Sequence, residues 1–355
     1  MFLAFKEMAQ SKIRYTLIGL IMIAVLFLVF FISGLANGLA YGDGAAIKYL
    51  SADYVVMNKE ANGAIIKSEL TLDDINTIKD QISEDATPLS ITMMSSLVKS
   101  GEAPADVTYF SVNTDKYPEI EVIEGKNISE LDKNEIIVDE SLKTTGFQIN
   151  DKVVDKVTGK EMVIAGFSKN QLYSNIPVVY TDLEMGLSSI YQSESMYNAV
   201  LYSGEKVDMK EYDTRSVNQT VKAIPGYKET QGSLNMIVVF LFIISAFVST
   251  VFFYVITIHK LNQLGVLKAI GATTGYIAKS IMIQVILLTV TGLTFSSLLV
   301  YGMTQVIPEE MPFRLTPTLM LGTAALFLLL NLIGALLSVY QVAKTDALEA
   351  IGRVE

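Results

Sequence analysis

The chain has 355 residues, of which 51% are hydrophobic and only 18% are charged, with a net charge of −10 and no cysteine. Soluble domains average about 25% charged residues, so this composition argues against an ordinary soluble protein. The acidic balance argues against nucleic acid and other polyanions as partners. Without cysteine, the chain has no disulfide framework.

The charge deficit is concentrated in four stretches, and each is long enough to cross a membrane. Residues 15–42, 230–259, 280–308 and 315–343 contain no Asp, Glu, Lys or Arg. A bilayer core of about 30 Å needs about 20 apolar residues in a helix, which is the form that satisfies its own backbone in lipid. We predict four transmembrane helices, at residues 15–42, 233–258, 278–305 and 317–342.

The first stretch resembles a signal peptide, but its apolar run favours a retained anchor. Leu17 to Leu35 is 19 residues, longer than the usual apolar region of about 7–15 residues. Residues 1–14 before it are predicted to form a cytoplasmic amphipathic helix lying along the inner membrane surface. A disordered tail is the alternative for this segment.

The basic residues define the orientation of the helices. Residues 1–14 contain three basic side chains, and Lys260, Lys268 and Lys279 follow the second helix. Cytoplasmic loops are rich in Lys and Arg, so we expect residues 1–14, 259–277 and the tail 343–355 in the cytoplasm. The stretch 43–232 and the loop 306–316 then lie outside.

The large segment 43–232 is predicted to be a mixed α+β extracytoplasmic domain, inserted between the first two helices. It is acidic, with 31 Asp and Glu against 18 Lys and Arg from Asp43 to Glu229. Leu72 to Ile82 has a helical pattern after Thr71 as an N-cap. Five runs have strand character: Asp53–Met57, Val107–Val112, Glu135–Val138, Met162–Phe167 and Ile176–Tyr180.

Small residues recur at a spacing of four along the first transmembrane helix. Gly34, Gly38 and Gly42 would form one flat face that lets another helix approach closely. Ser245 and Ser249 give the second helix a weaker version of this face. Two interpretations remain open: a helix–helix packing contact, or the wall of a substrate slot between two proteins.

The cytoplasmic segment after the second helix contains the motif Gly265-Val-Leu-Lys-Ala-Ile-Gly271, and Asp346-Ala-Leu-Glu-Ala-Ile351 lies close to the end of the chain. These motifs and the four-helix layout resemble MacB/FtsX-type ABC transporter permeases, although Thr345 stands where many members have Pro. The resemblance implies a short helix that docks on an ATPase subunit, and an apolar ridge beside Lys suits such a groove. The implied coupling residues are Leu264, Gly265, Leu267, Lys268, Ile270 and Gly271.

Within this superfamily the chain is most similar to the permease subunit of Gram-positive heme-efflux transporters of the HrtB type. Three stretches are similar to that group: Phe31–Leu39, Phe252–Ile258 and Met311–Thr316. The resemblance implies heme as the transported substrate.

No catalytic motif is present. Both Gly-Lys pairs are followed by Asn127 or Glu161 rather than Ser or Thr, so the phosphate-binding loop of an ATPase is missing. We therefore expect a non-enzyme without an intrinsic cofactor, with ATP hydrolysed by a separate partner subunit.

Heme would need a ligand other than His or Cys, because the predicted outer region contains neither. Tyr phenolate and Met thioether remain as ligands, and Tyr is an established one. Tyr173 lies in the polar run Ser168–Asn175, predicted to be a loop between strands. Arg314 is a candidate for a propionate, with an ion pair to Glu309 or Glu310 as the alternative. The other candidates for an outer-leaflet slot are Phe31, Asn37, Asn235 and Met236, each of which also suits simple helix packing.

The resemblance implies a homodimer of permeases with two ATPase subunits, in which ATP moves the outer domains mechanically and expels heme from the membrane. Two alternatives remain: export of a peptide, lipoprotein or antimicrobial, or FtsX-like signalling to a cell-wall hydrolase. An apolar slot with few polar ligands would favour heme, whereas an exposed apolar patch on the outer domain would favour a protein partner.

Overall fold

The computed structural model describes residues 2–117, 120–190, 196–259, 263, 265–267, 270–307 and 311–344. Its contacts divide the chain into two compact units. The membrane unit comprises Met1–Gly38 and Gly232–Glu355, and the inserted domain comprises Leu39–Gln231.

The membrane unit consists of long apolar helices preceded by a short N-terminal helix, α1 (Phe2–Gln10). Four helices are long and apolar enough to cross a membrane, as predicted. We call them spans 1 to 4: Lys12–Lys48, Tyr227–His259, Thr274–Thr304 and Pro317–Lys344.

The core of the membrane unit takes side chains from every span. Leu26, Phe242, Val285 and Phe327 are buried in one cluster. Helices in lipid associate through close packing and polar contacts rather than through the hydrophobic effect. Gly334 illustrates the close packing, because a Cβ there would meet the side chain of Thr250.

Span 1 is longer than a membrane requires. Its 37 residues give a helix of about 55 Å, against a bilayer core of about 30 Å. Gly44 leaves helical geometry (φ −146°, ψ 20°), and Ala45 and Ile47 in the last turn are fully buried. The end of span 1 therefore belongs to the hydrophobic core of the inserted domain.

The inserted domain is built on an 11-stranded mixed sheet with the order β11-β1-β10-β2-β3-β9-β5-β7-β4, in which β6 pairs with β2 and β7, and β8 pairs with β9. The pairs β3–β9 and β5–β7 are parallel, and the remaining pairs are antiparallel. The strands are β1 Tyr54–Asn58, β2 Thr87–Val98, β3 Ala105–Val112, β4 Val122–Gly125, β5 Glu135–Asp139, β6 Lys152–Asp155, β7 Glu161–Ser168, β8 Leu172–Tyr173, β9 Ile176–Asp182, β10 Ala199–Tyr202 and β11 Tyr212–Ser216.

Three helices complete the domain: Leu72–Gln81, Leu183–Ile190 and Val217–Lys222. The first confirms the predicted helix and its cap, since Thr71 and Asp74 form a reciprocal capping box. All five predicted strands are present within a residue or two at each end. The 12-residue strand β2 was not predicted, because Pro88 and the scattered Ser and Thr residues obscure its alternation.

Candidate functional site

The glycine face of span 1 is covered by a loop of the same chain. A Cβ on Gly34 would lie 2.5 Å from a ring carbon of Phe313, and one on Gly38 would collide with the backbone of Pro312. The expectation that a second helix packs on this face is therefore wrong. Its occupant in the membrane unit is the segment Met311–Thr316 between spans 3 and 4, which we call the docked loop.

Backbone and aromatic contacts fix the docked loop on span 1. The Arg314 N–H donates to the Gly34 carbonyl at 3.0 Å, and the Asn37 side-chain amide donates to the Arg314 carbonyl at 2.7 Å. The Phe313 ring stacks on Phe31 with centroids 5.8 Å apart. Three of the predicted site residues, Phe31, Asn37 and Arg314, are thus brought together.

The third glycine of the face, Gly42, lies within the inserted domain, where its neighbour is again not a helix. A Cβ on Gly42 would collide with the Asn175 side chain, and the Asn175 N–H donates to the Gly42 carbonyl at 2.8 Å. Ser174 and Asn175 both have positive φ (50° and 62°), as the tight hairpin turn between β8 and β9 requires.

A cavity of about 470 Å³ opens beside the docked loop, between spans 1, 2 and 4. This volume falls within the roughly 300–1,000 Å³ that small-molecule sites occupy. The lining is uncharged, and its polar groups are one amide and three hydroxyls. The lining residues are Asn37, Phe242, Thr316, Thr318, Leu319, Gly322, Thr323 and Leu326.

The residue of span 2 that lines the cavity differs from the two predicted for a slot. Asn235 and Met236 are exposed at the start of that helix, Met236 by 60%, and neither lines the cavity. Phe242, about two turns further along span 2, lines the cavity instead. It was not predicted from the sequence. Thr316 was also missed, although it ends the Met311–Thr316 stretch that carried the resemblance.

The structure contradicts the placement of Tyr173 in an exposed loop. Tyr173 is the last residue of β8 and is fully buried, edge-on to Phe110 with ring centroids 5.8 Å apart. Its hydroxyl has no hydrogen-bond partner among the described residues, and burial raises the pKa of the phenol. A heme iron would therefore meet neither an accessible oxygen nor a phenolate at this residue.

The predicted Ser168–Asn175 run also borders a polar cleft in the inserted domain. The cleft has a volume of about 400 Å³, and Lys169 at its edge pairs with Glu121 at 3.3 Å. Tyr41 donates a hydrogen bond to Asn170 from the end of span 1. The cleft is lined by Tyr49, Ser51, Ile120, Glu121, Lys169, Asn170 and Gln171.

Part of the predicted coupling segment is described. Ile270 is 77% exposed, whereas Leu267 packs against Ile277 and Ile281 of span 3. The expected apolar ridge is therefore divided, with Leu267 turned inward. Gly271 has a φ of +102°, which glycine tolerates, just before span 3 begins at its N-cap Thr273. Gly265 is helical, while Leu264, Lys268, the acidic pair Glu309 and Glu310, and the terminal motif 346–351 lie outside the described residues.

Comparison with known proteins places this arrangement in a family. Residues 235–347 match the model of the FtsX-like permease C-terminal domain. The chain is 31% identical over 357 aligned positions to a protein of Staphylococcus haemolyticus named putative hemin transport system permease protein HrtB, with 99% of both chains covered. The chain belongs to the HrtB-type, FtsX-like permeases.

A second HrtB, from Staphylococcus epidermidis, is 29% identical, again with 99% of both chains covered. Among solved structures, the periplasmic region of MacB from Actinobacillus actinomycetemcomitans matches 48% of this chain and 91% of its own, at 14% identity and a TM-score of 0.37. The extracellular domain of YknZ from Gram-positive bacteria matches 44% of this chain and 84% of its own, at 16% identity and a TM-score of 0.33.

Membership of this family confirms the predicted class of protein. The chain is a multi-pass protein of the cell membrane with one α+β domain inserted between its first two spans. As an FtsX-like permease, it is the membrane component of an ABC exporter.

Proposed function

We propose that this permease exports heme, which enters the cavity beside the docked loop from the outer leaflet and leaves toward the outside. The observation that carries the proposal is the match over 99% of the chain to a relative named as a hemin transport permease. The uncharged cavity supports it, because small-molecule sites combine mostly apolar walls with a few placed polar groups.

The lining suggests how each part of the cargo would be held. Phe242 and the leucines offer apolar surface for a planar ring. Asn37 already donates its amide hydrogen to Arg314, which leaves its carbonyl oxygen to accept a hydrogen bond from a protonated carboxyl group. Arg314 belongs to the docked loop beside the cavity rather than to its lining. Its guanidinium is the basic group that we assign to a propionate, since charge-assisted pairs with carboxylates are the stronger ones.

ATP hydrolysis is assigned to a separate subunit. The proposed complex contains two permeases and two ATPase subunits, with residues 264–271 as the contact that receives the ATPase movement. Exposed Ile270 and Val266 support this assignment, because apolar side chains on a cytoplasmic turn suit a groove on a partner.

Absorption spectroscopy of the purified protein titrated with hemin tests the proposal. Phe242→Ala should weaken a saturable Soret shift about tenfold. Phe253→Ala is the matched control, because Phe253 is 2% exposed in the same core cluster on span 2 and lies outside the cavity. Tyr173→Phe should leave the titration unchanged, since its hydroxyl is buried.

Two outcomes would contradict the proposal. A saturable shift that Phe242→Ala does not weaken would place heme outside this cavity. No shift beyond that of empty micelles would exclude heme as cargo and favour export of a peptide or signalling to a cell-wall hydrolase.

A further inference from the structure

The N-terminal helix is hydrogen-bonded to span 3 rather than only resting against the membrane. The Gln284 amide of span 3 donates to the Glu7 carboxylate of α1 at 2.6 Å. The Gln284 carbonyl accepts from the Tyr15 hydroxyl of span 1 at 2.5 Å. One side chain therefore joins α1, span 1 and span 3.

This amide is a costly group at its position. Gln284 is 3% exposed and lies 11 residues into span 3, about 15 Å from its first residue. Burying an amide without hydrogen-bond partners costs several kcal/mol of stability. A Leu side chain at this position would carry no such cost. The hydrogen bonds to Glu7, Tyr15 and the more distant Ser280 make the amide tolerable only in this arrangement of the three helices.

Two further polar contacts hold span 1 to the same part of the bundle. The Ser296 hydroxyl of span 3 donates to the Ile23 carbonyl at 2.9 Å. The docked loop after span 3 bonds to Gly34 through the Arg314 N–H. Tyr15, Ile23 and Gly34 are spaced along span 1 at intervals of about 12 and 16 Å, so the contacts occur at three depths of the helix.

Spans 1 and 3 lead to the two parts of the protein that move in the proposed mechanism, the inserted domain and the coupling segment. Span 3 begins at Thr273, directly after the proposed coupling segment. Span 1 ends in the core of the inserted domain, where Ala45 and Ile47 are fully buried. A displacement of span 3 that carries span 1 along would therefore be passed to the inserted domain along span 1, whose helical geometry is interrupted at Gly44.

We infer that Gln284 is a positioning residue that makes span 1 move with span 3, so that movement at the coupling segment reaches the inserted domain. The inference rests on the proposed ATP-driven mechanism. Within that mechanism it assigns the transmission to three polar contacts, of which the Gln284 contact lies nearest the coupling segment.

The native chain has no cysteine, which allows a direct test with two spin labels. Val157→Cys places one label on the inserted domain of each permease in the proposed homodimer, at a position that is 71% exposed. The distance between the labels would be measured by pulsed electron paramagnetic resonance, with the assembled complex in lipid nanodiscs, before and after ATP is trapped.

Three variants separate the inference from a folding defect. Gln284→Leu removes the hydrogen bonds that Gln284 makes to Glu7, Tyr15 and Ser280, and Tyr15→Phe removes one of them. Thr291→Leu is the control, because Thr291 is exposed on span 3 and its hydroxyl bonds to its own helix. ATPase activity and thermal unfolding of each complex show whether it is assembled and folded.

We expect ATP to change the label distance in the parent protein and in Thr291→Leu. Gln284→Leu should reduce this change at least threefold while ATPase activity stays within twofold, and Tyr15→Phe should give an intermediate result. An undiminished distance change in a folded Gln284→Leu complex would overturn the inference alone. No change in the parent protein would instead reject the mechanical scheme, and a proportional loss of ATPase activity would show a general structural role.

Discussion

Gly38→Ala is the substitution that should release the docked loop from span 1. A Cβ at this position would collide with the Pro312 carbonyl and would lie 2.8 Å from the Phe313 nitrogen. Both are backbone atoms, so no side-chain rotation can relieve the clash. The loop must move away, which breaks the Arg314 N–H bond to Gly34 and the Asn37 bond to Arg314.

The expected cost follows from these two effects. Overpacking at a close contact costs about 1–3 kcal/mol, and an interhelical hydrogen bond in a membrane protein contributes about 0.6 kcal/mol on average. The docked state should therefore be destabilised by about 2–4 kcal/mol. A change of 1.4 kcal/mol is tenfold in an equilibrium constant, so the docked population should fall by at least about 30-fold relative to the released one.

Hydrogen exchange of the Arg314 amide measures this equilibrium directly, because that N–H is bonded to Gly34 only while the loop is docked. Its protection factor should fall at least about 30-fold in Gly38→Ala. Gly34→Ala should have a smaller effect, since its Cβ would meet the Phe313 ring, which can rotate. Gly302→Ala is the matched control, because a Cβ there meets nothing within 4 Å. Equal protection in Gly38→Ala and Gly302→Ala would refute the docking of this loop.

Three further results are expected. Tyr173→Phe should raise the thermal stability of the inserted domain or leave it unchanged, because it removes a buried hydroxyl without a partner among the described residues. Tyr173→Ala should instead destabilise the domain by about 3–5 kcal/mol. A loss of stability in Tyr173→Phe would contradict the absence of a hydrogen-bond partner for this hydroxyl. Burial opposes ionisation of Asp155, but hydrogen bonds from Ser95, Thr158 and Tyr109 outweigh it and lower the pKa of this carboxyl. Its stabilising contribution is therefore complete above the unfolded pKa of about 3.9 and is lost as pH falls through the folded pKa. Urea unfolding of Asp155→Asn and the parent protein should therefore differ at pH 7, begin to converge below about pH 4 and agree only below the folded pKa. Gly42→Ala should destabilise the inserted domain by about 1–3 kcal/mol in the same assay, because its Cβ would collide with Asn175, and an unchanged midpoint would contradict that contact.

The features that the sequence predicts correctly are those that depend on neighbouring residues. The four spans follow from uninterrupted apolar stretches, and the helix after Thr71 follows from its cap and the acidic residues of its first turn. The strand Glu161–Ser168 follows from its apolar run. Each of these signals lies within one element, so no tertiary contact is needed to read it.

The site depends instead on contacts between distant residues. Gly34 and Phe313 are 279 positions apart, and nothing in the spacing of the glycines distinguishes a loop from a helix as their partner. Tyr173 was misplaced for a related reason. Its polar neighbours suggest a loop, but the left-handed Ser174 and Asn175 close a tight hairpin, and the register of β8 turns the Tyr173 ring into the core.

The occupied glycine face also bears on how two permeases would pair. Gly34 and Gly38 are covered by the docked loop, and Ser245 and Ser249 are 4% and 2% exposed within the chain. Both small-residue faces are thus used inside one chain.

The surface that remains open on span 2 is bulky and apolar, with exposed side chains at intervals of three and four residues along one helical face. These are Met236, Phe240, Ile243, Phe247, Val251, Tyr254 and Ile258. Intervals of three and four residues are those of left-handed helix pairs, which are the commoner arrangement in membrane bundles. A homodimer that paired along span 2 would therefore use this bulky apolar surface, which also includes the exposed Ile237, Val239, Ile244 and Val255, rather than a glycine contact along span 1. Met236, which does not line the cavity, is one of the exposed residues of this surface.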